Sequence, residues 1–107
     1  DNQEAWAKHI KRAEELSQIF RALAVEGRIR ILYLIAHAGE LSVSDLTEAM
    51  GLSQSSVSHH LKLLSDAGII GRRQMGTWAY YSIRDSIAGE VAESVTQLLD
   101  CGPKNTE

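Results

Sequence analysis

Apolar residues recur at intervals of three and four positions in five stretches of the chain, which is the spacing of one face of an α-helix. A sixth stretch is instead rich in aromatic and β-branched residues, which favour a β-strand. In chain order, the pattern predicts helices over residues 1–24, 26–37, 42–50 and 54–66, a β-hairpin over 69–83 and a last helix over 86–100.

The third and fourth predicted helices are separated by a short break. Ser42 and Ser53 stand where the two helices begin, and a serine hydroxyl there can accept a hydrogen bond from a free backbone N–H group. Gly51 and Gly68 follow the two helices, at positions where a left-handed backbone often ends a helix. Two short helices joined in this way predict a helix–turn–helix.

The apolar stripes predict which side chains face the core. In the second predicted helix, the inward positions are Ile29, Leu32, Ile35 and Ala36. In the fourth, they are Val57, Leu61 and Leu64. The first and last predicted helices carry longer stripes, which suit either the core or the surface of a partner helix.

The opposite face of the fourth helix carries small polar side chains. These are Gln54, Ser55, Ser58 and His59, with Ser56 beside them and Lys62 further along the helix. A helix that enters the major groove of DNA needs small side chains near its N-terminus, and donors and acceptors that reach base edges or phosphates. An ordinary solvated face usually carries Glu and Lys, so this composition favours contact with nucleic acid.

The predicted hairpin begins at Ile69 and Ile70, turns at Gly76 and returns through Trp78–Ile83. Basic and polar side chains cluster at or near its tip: Arg72, Arg73, Gln74 and Thr77. Two adjacent arginines beside a glycine turn suit a phosphate backbone or a minor groove. The alternative is an exposed polar hairpin with incidental charge, but the position directly after a candidate recognition helix favours DNA contact.

The aromatic residues of the hairpin have a different expected role. They are Trp78, Tyr80 and Tyr81. Double-stranded DNA offers no free base faces on which a ring can stack. We therefore expect these side chains to pack within the fold.

The distribution of charge supports the same interpretation. The chain has 107 residues, of which 44% are apolar, and this size predicts one domain over residues 1–107. The net charge of −3 is unusual for a DNA-binding protein, but residues 53–84 carry four basic residues and one acidic residue. Local positive charge matters more than the total when the partner is a polyanion.

Several classes of protein are disfavoured by composition. The chain has no apolar run long enough to span a membrane, and its charged first 15 residues do not have the form of a signal peptide. We therefore expect a cytoplasmic protein without a membrane partner. A single cysteine excludes an intrachain disulfide. No enzyme is predicted, because the serines and histidines of residues 53–60 share one exposed helix with no third orienting group.

The order of helix, helix, helix–turn–helix, hairpin and helix resembles the ArsR/SmtB family of bacterial transcriptional repressors over almost the whole chain. The resemblance is carried by ELSVSDL, GLSQSSVSHHLKLLSDAGII and the glycine-turned hairpin. It implies a mainly α winged helix–turn–helix with five helices and a two-stranded β-hairpin wing. It also implies a repressor that binds an inverted-repeat operator in double-stranded DNA and is released by an inducer.

In this family the domain is a homodimer joined by its first and last helices, which would explain the two long apolar stripes. The residues then expected at the dimer interface are Trp6, Ile10, Leu16, Phe20, Ile87, Val91, Val95 and Leu98. Bases would be read by Gln54, Ser55, Ser58 and His59, helped by Ser56. Phosphates or the minor groove would be held by Lys62, Arg72, Arg73 and Thr77.

The metal sites of the family do not carry over to this sequence. Arsenite and cadmium sensors use a pair of cysteines where this chain has Ser42 and Ser44, and a hydroxyl is a poor ligand for a soft metal. Zinc sensors use four ligands near and on the last helix: an aspartate, two histidines and a further acidic residue or histidine. Asp85 matches the first and Cys101 stands at the last, but Ile87 and Leu98 occupy the two histidine positions. Two ligands of four do not make a site. We expect no metal cofactor, and no release from DNA by stoichiometric zinc, cadmium or arsenite.

Cys101 resembles the second of two cysteines through which some relatives sense sulfide or oxidants. Tyr33 stands at the position of the first cysteine. The C-terminal end of the last helix and the neighbouring Asp100 both disfavour a reactive thiolate, so an ordinary thiol is the preferred interpretation. The alternative functions are a repressor that senses an oxidant, persulfide or organoarsenical through Cys101, and a winged helix used for protein contacts.

Overall fold

The computed structural model describes residues 2–100, and within this range it contains five helices and three strands. The helices are α1 (Asn2–Leu23), α2 (Glu26–Ala38), α3 (Val43–Met50), α4 (Gln54–Asp66) and α5 (Ile87–Leu99). The strands are β1 (Leu41–Ser42), β2 (Ile70–Met75) and β3 (Trp78–Ile83). The prediction of a mainly α winged helix–turn–helix is confirmed, and each predicted helix ends within about one residue of its observed bounds.

The helix–turn–helix consists of α3 and α4, and capping interactions set its boundaries. The hydroxyl of Ser42 accepts a hydrogen bond from the backbone N–H of Asp45, and the Asp45 carboxylate accepts one from the N–H of Ser42. This capping box satisfies two backbone donors at the start of α3. Gly51 ends α3 with a φ of 66°, a left-handed conformation that glycine adopts at little cost. Ser53 caps α4 through the N–H of Ser56.

The sheet has three antiparallel strands in the order β1–β3–β2, whereas the sequence predicted two. β2 and β3 form the wing, in register from Ile70 opposite Ile83 to Met75 opposite Trp78. β1 pairs with the other edge of β3, where backbone groups would otherwise lack partners. This pairing ties the wing to the segment that leads into α3.

The core lies between α2, α3, α4 and the base of the wing. Its buried apolar side chains are Ala22, Ile31, Ile35, Leu46, Val57, Leu61, Leu64, Ile69, Ile70 and Ile87. The predicted inward face of α4 is confirmed, since Val57, Leu61 and Leu64 are at most 1% exposed. One face of α4 is therefore fixed by packing, and the opposite face is open to solvent.

The predicted inward face of α2 is only partly correct. Ile35 is fully buried, but Ile29 and Ala36 are exposed. The residues of α2 that are buried are instead Arg28, Ile31 and Ile35. The cause is Arg28, whose guanidinium donates to backbone carbonyls at the end of α1. Burial of this charged residue brings the Ile31 side of the helix inward rather than the Ile29 side.

The outer surfaces of α1 and α5 are rich in exposed apolar side chains. Trp6, Ile10 and Phe20 on α1 are exposed, as is Leu98 on α5. Three further predicted interface residues are half-buried: Leu16, Val91 and Val95. Ile87 differs from the prediction, because it lies in the first turn of α5 directly after the sheet and is buried in the core of its own chain.

Candidate nucleic-acid interface

The open face of α4 carries all the side chains that the sequence assigned to it. Those that are exposed are Gln54, Ser55, Ser56, Ser58, His59 and Lys62. Over the first turns these side chains are short or of moderate length, so a duplex can approach the helix backbone closely. The geometry is that of a recognition helix fixed by its buried face.

Three serines at the N-terminal end of α4 are linked through their hydroxyls. The oxygen of Ser53 lies 3.0 Å from that of Ser56 and 3.2 Å from that of Ser55. Each hydroxyl can still donate or accept a further hydrogen bond. The start of a helix also favours an anion. This cluster is therefore suited to a phosphate oxygen or a base edge.

Lys62 is the cation of the α4 face. Its Nζ lies 3.0 Å from Oδ2 of Asp66, and the side chains are 72% and 47% exposed, respectively. An exposed helical pair of this kind contributes roughly 0.3–0.5 kcal/mol. The Lys62 ammonium can therefore exchange Asp66 for a phosphate at small cost.

An anchor behind α4, which sequence reasoning missed, joins it to α1 and α2. Arg28 donates from Nε to the carbonyl of Ala22 at 2.7 Å and from Nη1 to Nδ1 of His60 at 3.3 Å. Burial, and then the charges of Arg28 and His59, lower the pKa of His60, which favours the neutral ring that accepts this bond. The one available sequence signal was the helical spacing of Arg28 with Ile31 and Ile35.

The two adjacent arginines of β2 have different environments, because successive side chains of a strand point to opposite faces. Arg73 donates to both carboxylate oxygens of Glu40, at 2.6 and 3.2 Å, and its guanidinium carbon lies 5.4 Å from the ring centre of Tyr80. The hydrogen bond lowers the pKa of Glu40 and raises the pKa of Arg73. Arg72 is exposed, and no other residue between 2 and 100 holds its guanidinium.

The tip of the wing is a two-residue turn that includes Gly76, with a φ of 61°. Gln74, one of the residues predicted to meet DNA, donates from Nε2 to the carbonyl of Gly76 at 3.0 Å. Thr77 is exposed beside this turn. Gln74 therefore supports the shape of the tip, while Thr77 is accessible to a ligand.

The wing and the N-terminal end of α4 line one groove, which has a volume of about 590 Å³. Gln54 contributes from α4, and Thr77 and Trp78 contribute from the wing. The other lining residues are Ser42, Val43, Ser44, Thr47, Glu48 and Ala79. The start of the recognition helix and the tip of the wing thus face a common space, as contact with one duplex requires.

The positions discussed as metal or thiol sites have the following surroundings. Within residues 2–100, no three His, Cys, Asp or Glu side chains are grouped so as to hold a metal ion. Ser42 is 3% exposed and its hydroxyl caps α3. Cys101 lies outside the described residues.

Among the helices of the described range, none is long and apolar enough to cross a membrane.

Comparison with known sequences finds similarity to bacterial regulatory proteins. The family model described as bacterial regulatory protein, arsR family, matches residues 26–71, from the start of α2 into β2. The arsenical resistance operon repressor of Bacillus subtilis is 44% identical over 84 residues, which cover 78% of this chain and 77% of that protein. The residues that the family model matches therefore include the whole helix–turn–helix.

Solved structures share the fold. An ArsR-like transcriptional regulator from Rhodococcus sp. RHA1 superposes with a TM-score of 0.74 at 24% identity, over 80% of each chain. A homodimeric winged helix–turn–helix DNA-binding domain from Mycobacterium bovis has a TM-score of 0.68 at 26% identity. That match covers 89% of this chain and 87% of the other. The M. bovis domain is described as DNA-binding and as part of a possible ArsR-family transcriptional regulator.

Proposed function

The chain belongs to the arsR family of bacterial regulatory proteins, and we propose that it represses transcription as a homodimer bound to an inverted-repeat operator. An inducer releases it. The observation that carries the proposal is the groove shared by α4 and the wing. It places the start of a polar recognition face and the tip of a basic hairpin around one space.

Base reading is assigned to the first turns of α4. Gln54 can donate and accept with the two polar atoms of its amide, which is the pattern that adenine presents in the major groove. Ser55, Ser58 and His59 continue the same exposed face, with Ser56 beside the cap. A duplex that contacts Gln54 can reach these side chains within one further turn of the helix.

Phosphate contact is assigned to Lys62, Arg72 and Thr77, which are all exposed. Arg73 was expected to share this role, but its guanidinium already binds Glu40 and so fastens the wing to the segment before β1. A phosphate must compete with that carboxylate for Arg73. Arg72 is thus the principal phosphate ligand of the wing, and Arg73 is a positioning residue that also contributes charge.

Dimerisation is assigned to the apolar surface of α1 and α5. The two helices border a groove of about 820 Å³, whose apolar lining includes Leu16, Phe20 and Leu98. Trp6 and Ile10 extend the exposed apolar surface along α1. Contiguous apolar surface of this kind is typical of an interface, and the similar domain from M. bovis is homodimeric. A second copy of this chain is the occupant that fits.

Two-fold symmetry then determines the form of the operator. A symmetric dimer presents two copies of α4, and these enter successive major grooves roughly 34–36 Å apart. Each copy reads the same bases in opposite directions, so the preferred site is an inverted repeat.

The proposal is tested by titrating the full chain with a duplex from the region upstream of its own gene and with a shuffled duplex of equal composition. Specific recognition predicts binding to the upstream duplex that is tighter by a factor of at least about 10³ at the same salt concentration. Equal affinity for the two duplexes would contradict sequence-specific binding at that site. Absence of binding to either would favour a winged helix that contacts proteins.

A further inference from the structure

We propose that the apolar tip of the wing, formed by Met75 and Trp78, enters the minor groove of the bound duplex. This inference rests on the proposed function and adds a type of contact to it. The sequence predicted that Trp78 packs within the fold, but its side chain is 55% exposed, as is that of Met75. The wing therefore ends in apolar surface as well as in polar groups.

The strand register places these two side chains together. Met75 lies directly opposite Trp78, at the last pair before the turn. Directly opposed residues of antiparallel strands point to the same face and contact each other. Further from the tip, Tyr80, Tyr81 and Ile83 are half-buried against the fold. The exposed apolar surface is thus confined to the end of the hairpin.

Charge and continuity identify the partner as a nucleic acid. The two strands and turn, residues 70–83, contain two arginines and no acidic residue. Glu40, which lies outside the hairpin, pairs with Arg73, so Arg72 is the unpaired cation of the wing within the described residues. Glu48, an acidic residue of the adjoining groove, belongs to α3 instead. Trp78 lines the same groove as Gln54, which is the first residue of the recognition helix. The apolar tip is therefore continuous with the surface assigned to DNA.

The size of the tip disfavours a stable protein partner. A specific protein interface covers roughly 800 Å² on each side and about 20–30 residues, whereas the apolar tip consists of two side chains. Proteins that bind the minor groove often insert one or two apolar side chains beside cationic ones, partly separating a base step. With α4 in the major groove, the minor groove next to it is the surface that a hairpin tip can reach.

The contact would add sequence preference without a hydrogen bond to a base. Steps such as TA and CA separate at lower cost than other steps. An apolar side chain pressed against such a step favours it, because the cost of deformation depends on the sequence that is deformed. Met75 and Trp78 would therefore contribute to the choice of the base pairs outside the α4 contacts.

Trp78 itself supplies the first measurement. The chain has two tryptophans, so the emission of Trp78 is obtained as the difference between the spectra of the wild type and of Trp78→Phe. Addition of poly(dA-dT) duplex should shift its emission to shorter wavelength and protect it from iodide. Netropsin, which fills the minor groove, should reverse both effects at concentrations where anisotropy still reports binding. Binding with unchanged Trp78 emission would overturn this inference while leaving the proposed function intact.

Affinity for the upstream duplex supplies the second measurement. Trp78→Ala should weaken binding roughly tenfold, as expected when part of a large apolar side chain no longer leaves water. The salt dependence should keep the same slope, because no phosphate contact is lost. Trp78→Phe should recover most of the affinity. Tyr33→Ala, which removes a ring that is 75% exposed on α2, is the matched control and should have no effect.

The remaining outcomes separate the inference from its alternatives. A reduced salt slope in Trp78→Ala would show that the substitution displaces the arginines, and would overturn a direct apolar contact. A change in molar mass by light scattering in Trp78→Ala would assign the tip to a second copy of the chain and overturn the inference. Wild-type protein that binds no duplex would overturn the proposed function, and the inference with it.

Discussion

Arg72 and Arg73 are neighbours in sequence, but they point to opposite faces of the wing and differ in their partners. Arg73 is bound by both oxygens of Glu40. An arginine that a carboxylate already neutralises displaces fewer of the cations that are condensed on the DNA phosphates. We therefore expect the contribution of each arginine to DNA binding to depend on its position in the strand as well as on its charge.

Arg72→Ala is expected to weaken binding to all duplexes and to reduce the salt slope by about one, the value for a single lost phosphate contact. Anisotropy titrations over a series of salt concentrations measure both effects. Glu40→Gln provides the opposite test, because it releases Arg73 and removes a negative charge, and it should tighten binding. An unchanged slope in Arg72→Ala would show that this side chain does not contact a phosphate.

Residues whose role depends on local chemistry could be predicted from the sequence. Ser42 and Ser53 cap the helices that follow them, and Gly51 supplies a left-handed backbone. Their partners lie within a few positions along the chain. Arg28 and Glu40 could not be assigned, because their partners in α4 and β2 lie 32 and 33 positions away. Those contacts exist only once the chain has folded.

Among the helices, α5 and α4 are linked through Arg84. Its Nε donates to the carbonyl of Gly68, just after α4, and its two terminal nitrogens donate to the carboxylate of Glu90 on α5. Ser86 donates to the same carboxylate at 2.7 Å. This cluster connects the end of the recognition helix to the start of a helix assigned to dimerisation.

The cluster makes a contribution to stability that depends on pH. The hydrogen bonds from Arg84, and then from Ser86, lower the pKa of Glu90 from 4.5 to about 2. A carboxyl group with a lowered folded-state pKa stabilises the fold above its unfolded pKa, and this contribution is lost as the pH falls toward the folded value. The window therefore lies between pH 4.5 and about 2.

Glu90→Gln is expected to reduce the pH dependence of the thermal midpoint within that window, because the neutral amide does not titrate. The effect should be modest, since the Arg84 and Glu90 side chains are 41% and 55% exposed and solvent screens the pair. Glu93→Gln, on the same helix, is the control. Identical curves for wild type and Glu90→Gln would contradict a stabilising role for the pair.

The elements themselves were predicted more accurately than their orientations. The helix bounds follow from caps, glycines and periodicity, all of which are local. β1 has two residues and forms because β3 has a free edge, so no pattern along the chain announces it. The inward face of α2 was misassigned since a buried arginine contradicts the usual placement of charge. Trp78 was misassigned because a large apolar side chain is usually buried, whereas that of Trp78 is exposed.

For the whole molecule, we expect the apolar surface of α1 and α5 to determine whether DNA is bound, because the proposed dimer forms there. Ile10→Glu places a charge in that surface at a position that is 61% exposed in the single chain. We expect the protomer to fold normally but to remain monomeric, because the interface would bury an unpaired carboxylate. DNA binding should then be lost, since one half-site alone is weak.

Light scattering and circular dichroism measure these two effects separately. Tyr33→Glu, at a position 75% exposed on α2, is the matched control and should remain dimeric. A wild-type chain that is monomeric at micromolar concentration would contradict this account of the α1–α5 surface.

Release from DNA is a second property of the whole molecule. We expect that zinc, cadmium and arsenite at stoichiometric concentration leave the complex with DNA intact, because serine, isoleucine and leucine stand where the resemblance to ArsR/SmtB metal sensors implies thiolate and imidazole ligands. A titration of the complex with each metal, followed by anisotropy, tests this. Release by oxidant that disappears in Cys101→Ser would instead assign sensing to that thiol.

The decisive measurement concerns Gln54, the first residue of the recognition helix and part of the groove shared with the wing. The affinities of wild type and Gln54→Ala are compared on the upstream duplex and on a shuffled duplex at one salt concentration. If α4 reads bases, the substitution should cost about 1–3 kcal/mol on the upstream duplex and little on the shuffled one. An equal loss on both duplexes would show that Gln54 contacts the backbone, and would contradict base reading by this end of α4.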